Sequence, residues 1–130
     1  MLVDDSAFAR MAISRALTLE LGIEVVGFAG DGREALRLVK SMRPDVVTLD
    51  VSMPVMDGLT ALGHIMAECP TSVVMVSAHT GAQTKTTIEA LELGAIDFFL
   101  KSSPSSPVNR NGASSDLRTK IRLAAAYASK

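Results

Sequence analysis

Two short runs, Val46-Val47-Thr48-Leu49 and Val73-Val74-Met75-Val76, are apolar or β-branched throughout. Neither alternates as a half-exposed strand would, and turn residues bound both, so they suit strands buried on both faces. Such a sheet needs helices on either side, and the intervening segments supply them. Ser6 can cap a helix with Ala9, Ile13, Ala16 and Leu17 on one face, ended by Gly22. Glu24 to Ala29 reads as a strand, followed by a Gly30-Asp31-Gly32 turn. Ala35, Leu38, Val39 and Met42 mark a second helix, which Pro44 stops. Leu59, Leu62 and Met66 mark a third, ended before Pro70. Gln83 to Leu93 makes a fourth, with Ile88 and Leu91 inward, a loosely held Thr-rich start and Gly94 as its end. Ile96 to Leu100 is the last strand. Residues 102–115 are rich in Ser, Pro, Asn and Gly and read as a flexible loop. A final helix covers about 116–129, with Leu117, Ile121, Ala124 and Ala128 on one side.

Strand and helix therefore alternate five times. The expected fold is α/β: three layers, α/β/α, around a doubly wound five-stranded parallel sheet. Right-handed crossovers leave few strand orders, among them the flavodoxin-like order 2-1-3-4-5. With 130 residues the chain makes one domain, 1–130, with no room for a separate catalytic domain. Met1-Leu2-Val3 is a very short first strand, which fits trimming of residues upstream and weakens the sheet near Asp4-Asp5.

A net charge of −1 and 4% aromatic residues argue against a nucleic-acid surface. No long uncharged apolar span is present, which argues against membrane insertion. Cys69 is the only cysteine; a lone thiol without a signal-peptide pattern predicts a reducing cytoplasm. Gly27, Gly30 and Gly32 do not form a G-x-G-x-x-G, and no phosphate-loop lysine follows them.

In an open parallel sheet, ligands sit beyond the carboxyl ends of the strands. There the first strand delivers Asp4 and Asp5, the third Asp50, the fourth Ser77 and the fifth Lys101. Strands one and three are neighbours, so three carboxylates converge and repel unless a cation sits among them. An all-oxygen set suits Mg²⁺, or Mn²⁺, better than zinc. A carboxylate beside such an ion can attack phosphorus and form an acyl phosphate. This assigns Asp50 as nucleophile and Asp5 as a direct metal ligand, with Asp4 acting directly or through water and the Ser52 backbone carbonyl as a further ligand. Lys101 is the counter-charge and Ser77 the hydroxyl for the bound phosphoryl. His79, two residues after Ser77, is placed to tune the site. Taken singly these residues have plain readings: a turn, a solvated strand end, an ordinary loop hydroxyl. Asp57 reads as structural, shaping the turn with Gly58. It is the conjunction that carries the chemistry.

The same residues resemble the receiver domain of two-component response regulators. The resemblance rests on Val3-Asp4-Asp5-Ser6, on Leu49-Asp50-Val51-Ser52-Met53-Pro54-Val55-Met56-Asp57-Gly58, on Val76-Ser77-Ala78, and on Gly94-Ala95 to Lys101. It implies that a sensor histidine kinase donates its phosphoryl group to Asp50 with Mg²⁺ bound. It also implies that Ser77 and the Phe98 ring move together as the switch. Asp45 to Val51, Asp57 to Leu62, Glu89 to Phe98 and Lys120 to Ala126 look most like the receiver half of chemotaxis protein-glutamate methylesterases. That implies an attached output domain, absent from this chain, which the receiver regulates. The family usually follows its lysine with proline, often through a cis bond. Here Ser102 follows Lys101, and a cis bond before a non-proline residue costs about 3 kcal/mol.

Other readings are a stand-alone regulator, a receiver of another output class, a small Mg²⁺-dependent phosphatase or a flavin carrier. The phosphatase would need a general acid two residues after Asp50, where Ser52 stands. The flavin carrier would need a phosphate-cradling loop where Asp4-Asp5 would repel the phosphate.

Overall fold

Strands β3 (Val46–Asp50) and β4 (Ser72–Ser77) form the centre of the molecule. Every residue of β3 is buried, as a strand covered on both faces must be. The two pair in parallel, Val46 opposite Ser72 through Asp50 opposite Val76. The computed structural model describes residues 1–18, 22–77, 83–100, 102–103, 106–107 and 111–128. Around the central pair run β1 (Leu2–Val3), α1 (Ala7–Thr18), β2 (Phe28–Ala29), α2 (Gly32–Met42), α3 (Gly58–Glu68), α4 (Gln83–Leu93) and β5 (Asp97–Leu100). A two-stranded antiparallel ribbon, β6 (Ser102–Ser103) with β7 (Ser106–Pro107), precedes α5 (Asn111–Ala128). The main sheet has the order β2-β1-β3-β4-β5, all parallel, as the alternation predicts.

Strand periodicity divides the core in two. Val3, Val47, Leu49, Val73 and Met75 pack on one face with Ala35, Val39, Leu62, Ile65 and Ala90 of α2, α3 and α4. Leu2, Val46, Val74, Val76 and Phe99 point to the other face, against Ile13 and Leu17 of α1 and Leu117, Ile121 and Ala124 of α5. Leu49, Leu62, Ile65 and Met75 are fully buried, and each such side chain contributes about 1.5–3 kcal/mol over its exposed state.

Helix ends follow their capping residues. The Ser6 hydroxyl accepts from the Ala9 N–H at 3.1 Å, and Asp31 accepts from the Glu34 N–H at 2.9 Å. Arg43 closes α2 in the left-handed conformation at φ 47°, just before Pro44. Gly94, at φ 118°, ends α4.

Three expectations need correction. The strand expected over Glu24 to Ala29 is confined to Phe28–Ala29, because β1 is too short to pair with what precedes it. Ile88 and Leu91 of α4 are about half exposed, at 52% and 47%, while Ala90 is buried. That helix turns its small residue inward and leaves its large side chains outside. The final helix begins at Asn111, not near 116, and strand pairs at 102–103 and 106–107 replace part of the expected loop. Asn and Ser are favoured around helix starts as well as in loops, so composition alone places this boundary late. Residues 104–105, 108–110 and 129 of those expectations lie outside the described residues. No helix among the described residues is long and apolar enough to cross a membrane.

Candidate metal and phosphoryl site

The register of β1 and β3 builds the site. Val3 lies opposite Leu49, so the next residues, Asp4 and Asp50, emerge side by side at the carboxyl end of the sheet. Both are buried, at 2% and 5% exposure, while Asp5 is open to solvent. One carboxylate oxygen from each of Asp4, Asp5 and Asp50 lies within 4.8 Å of the other two. The Asp4 backbone N–H donates to the Ala29 carbonyl at 3.0 Å, tying the cluster to β2. Its carboxylate accepts from the Ser6 N–H at 2.9 Å, folding the turn into α1.

Arg10, one turn into α1, donates from Nη1 to the Asp4 carbonyl oxygen at 2.5 Å. This contact holds the Asp4-Asp5 turn from the helix side, and Arg10 did not stand out in the sequence. Its signal is positional: six residues beyond Asp4, it is carried back over the turn by one helical turn.

The loop after Asp50 is held at both ends. The Val51 N–H donates to Val76 at 3.0 Å, and the Gly58 N–H returns to the Val51 carbonyl at 2.8 Å. Gly58 packs so tightly on the Asp50 carbonyl oxygen that a Cβ would collide with it and come within 2.8 Å of Val51 Cα. Asp57 caps α3 by accepting from the Thr60 N–H at 2.8 Å, the structural part expected of it. Between them, Val55 adopts φ 67° and the Met56 N–H reaches back to the Pro54 carbonyl at 2.6 Å. That is a γ-turn of the positive-φ kind, an unfavourable conformation for a β-branched residue. The Met56 carbonyl then accepts from the Gly32 N–H at 3.1 Å, where a Cβ would lie 2.6 Å from that oxygen.

Three carboxylates, one exposed and two buried, form a hard, all-oxygen donor set. Such a set fits Mg²⁺ or Mn²⁺, with the exposed side left for water. Ser52 follows in the adjoining loop and is exposed. The β4 strand ends at Ser77, one residue beyond the partner of Asp50, and pairs there with Leu100 at the end of β5. Phe98 is half-buried against the α2–α4 side of the core, opposite Met75. Lys101 and His79, and the side chain of Ser77, lie outside the described residues.

The family model of the response regulator receiver domain matches residues 1–109. The chain belongs to that family. Curated relatives of this receiver domain include the protein-glutamate methylesterase/protein-glutamine glutaminase of Moorella thermoacetica, 54% identical over 104 residues. That match covers 80% of this chain and 24% of the relative. The protein of the same name from Lawsonia intracellularis is 46% identical over 98% of this chain and 36% of its own length. The receiver thus spans about a quarter to a third of the curated relatives it matches. Among solved structures, the response regulator domain of Thermotoga maritima CheB superposes with a TM-score of 0.87 at 42% identity, covering 96% of this chain and 93% of that one. A Borrelia burgdorferi CheX–CheY–BeF3–Mg²⁺ complex matches with a TM-score of 0.77 at 31% identity, covering 94% and 84%. Phosphorylation and Mg²⁺ binding at an acidic pocket are general properties of receiver domains.

Proposed function

We propose that this receiver domain is the phosphoacceptor switch of a longer protein, with Asp50 as the acceptor. The observation that carries the reading is the convergence of Asp4, Asp5 and Asp50 within 4.8 Å at the carboxyl ends of β1 and β3. Asp5, Asp50 and the Ser52 carbonyl would hold Mg²⁺, with Asp4 acting directly or through water. When bound, the ion would offset the carboxylate charge and the charge on the transferring phosphoryl oxygens.

An Asp50 carboxylate oxygen attacks the phosphorus of a phosphohistidine on a sensor histidine kinase. The P–O bond to Asp50 forms as the P–N bond breaks, and the electron pair returns to the donor imidazole, which takes up a proton. Lys101 supplies a cation to the phosphoryl oxygens and Ser77 a hydroxyl that bonds them once transferred. His79 sits near enough in sequence to tune the lifetime of the product. Phe98, half-buried beside Met75, would change its burial as the switch turns.

The partner on the output side is an attached domain. The similarity to protein-glutamate methylesterases, and the small share of their length that this chain spans, support an esterase domain as that output. The receiver itself is not the esterase, and its place of action is the cytoplasm. The similarity to the complex with BeF3 and Mg²⁺ further supports a site for a phosphoryl group and a divalent ion.

Incubation with acetyl phosphate and Mg²⁺ followed by mass spectrometry tests the reading. One phosphoryl mass should appear on the chain and be absent from Asp50→Ala. Failure to form the adduct with either Mg²⁺ or Mn²⁺ would sink it.

A further inference from the structure

The carbonyl of Asp4 stands where β1 and β2 part. Up to that point their parallel bonds are regular. The Leu2 N–H donates to the Gly27 carbonyl at 3.1 Å, and the Asp4 N–H to the Ala29 carbonyl at 3.0 Å. With Leu2 opposite Phe28 and Val3 opposite Ala29, the ladder donor in line with the Asp4 carbonyl is the N–H of Asp31. But β2 ends at Ala29, and Asp31 has become the N-cap of α2. Arg10 brings a donor to the same oxygen from α1, with Nη1 2.5 Å away.

The guanidinium is seated between two turns. On one side is Asp4-Asp5-Ser6, which leads into α1. On the other is Gly30, where a Cβ would lie 3.6 Å from Nη1. Gly30 is held in turn, its N–H donating to Glu34 Oε1 at 2.9 Å. Arg10 is half-buried, and its own N–H donates to the Ser6 carbonyl at 3.0 Å, so backbone and side chain grip the same turn.

The bond to Asp4 fixes a peptide plane. The Asp4 carbonyl and the Asp5 N–H belong to one planar unit, so holding the oxygen sets the direction in which Asp5 leaves the strand. The Asp4 carboxylate is buried and accepts from the Ser6 N–H at 2.9 Å. Asp5 is exposed, and ion binding must remove the freedom that an exposed side chain keeps. A backbone already oriented leaves less of it to remove.

We propose that Arg10 is a positioning residue for the divalent ion, holding the Asp4–Asp5 peptide so that the Asp5 carboxylate stands ready beside Asp4 and Asp50. This rests on the reading of those three carboxylates as a Mg²⁺ site. The side chain acts on the ion in two opposed ways. As a charge it repels a cation and weakens binding, across a rim open to water where screening is strong. As a donor behind the ligands it strengthens binding, and such supports are worth about 10–100-fold in metal affinity. The direct bond outweighs the screened charge, so the two roles predict changes of opposite sign when Arg10 is removed.

Titration of the ¹⁵N-labelled, unphosphorylated chain with MgCl₂, followed through its amide resonances, tests this. Arg10→Met removes both charge and donor and should bind Mg²⁺ about tenfold more weakly than the parent. Its Asp5 amide resonance should be displaced before any metal is added, with those of β3 and β4 in place to show an intact fold. Arg10→Gln, whose amide is too short to reach the Asp4 carbonyl, should show the same loss and serves if Arg10→Met does not fold. Arg10→Lys, which keeps the charge and a donor of similar reach, should recover much of the affinity. Parent-like or tighter binding in the folded Met or Gln variant would overturn the assignment, as would a loss in Arg10→Lys as large as theirs. A parent chain with no Mg²⁺-dependent shifts would instead overturn the Mg²⁺ reading of the cluster, and this inference with it.

Discussion

At one end of β1, Asp4 lies buried beside Asp50; at the other, a few residues back, the amine of Met1 lies buried against Val46. The two ends share a strand and a sheet, and differ in how their charge can be accommodated. The carboxylates stand at the strand ends, where loops open to water through Asp5 and three oxygens converge on one point. A cation can enter there and answer several charges at once. The amine is buried and donates to the carbonyl of Val46. It answers burial by giving up its proton. A buried charge at a strand end is thus a ligand site when it is one of several and open on one side. When it is alone and enclosed, it is a site of weakness.

The largest effect is expected at the carboxylate end. Asp50→Ala should lose the phosphoryl adduct completely, as read by intact mass after acetyl phosphate treatment. In the metal-free protein, Asp50→Asn should raise the melting temperature by removing like-charge repulsion, and should lose most of the rise that Mg²⁺ gives the parent chain. A destabilised metal-free Asp50→Asn would show that the carboxylates do not strain the fold.

Next in size is Gly58→Ala. Its Cβ would meet the Asp50 carbonyl oxygen and lie 2.9 Å from the Asp50 carbonyl carbon, both backbone atoms that cannot move aside cheaply. A loss of about 3 kcal/mol is expected in urea denaturation. A loss near zero would mean that the loop gives way easily and does not fix Asp50.

The amine end has its own signature. With its pKa near 8.0 unfolded and about 6 folded, the unfolded chain holds more protons between those values. Stability from this group is therefore complete above pH 8 and is lost as pH falls through 6, by about 3 kcal/mol in all. Acetylating the amine should flatten that part of the urea-midpoint profile, and an unchanged slope would assign it elsewhere. Smallest is Val55→Gly, which should stabilise the fold by about 1 kcal/mol by relieving the φ of 67°. A destabilised variant would mean that the exposed valine makes contacts worth more than its strain.

Much of this architecture was legible in the sequence, for reasons that particular residues make plain. Val46 to Leu49 and Val73 to Val76 are apolar without a break, and only a strand covered on both faces satisfies such a run. Once they are parallel neighbours, the position of Asp50 at the end of one fixes where Asp4 and Asp5 must meet it. The 23–29 segment shows why pattern is not structure. Its alternation is present, but a strand is defined by its neighbour. In α4, helical spacing marked Ile88 and Leu91 as a face without showing which side the helix would turn inward, and Ala90 took that side. Arg10 and Val55 escaped notice because their parts depend on backbone that folds over them: a helix brought back above the Asp4 carbonyl, and a γ-turn that no β-branched residue announces.

The sheet's division of the core into two separate packings has a further consequence. Val47, Leu49 and Met75 belong to one, and Val46, Val74 and Val76 to the other, with the strand backbones as the wall between them. Each side can accumulate its own compensating substitutions without consulting its opposite. Lineages of this domain can therefore drift on the α1–α5 face while the α2–α4 face stays fixed, or the reverse, and the shared strands keep the same carboxylates aligned throughout.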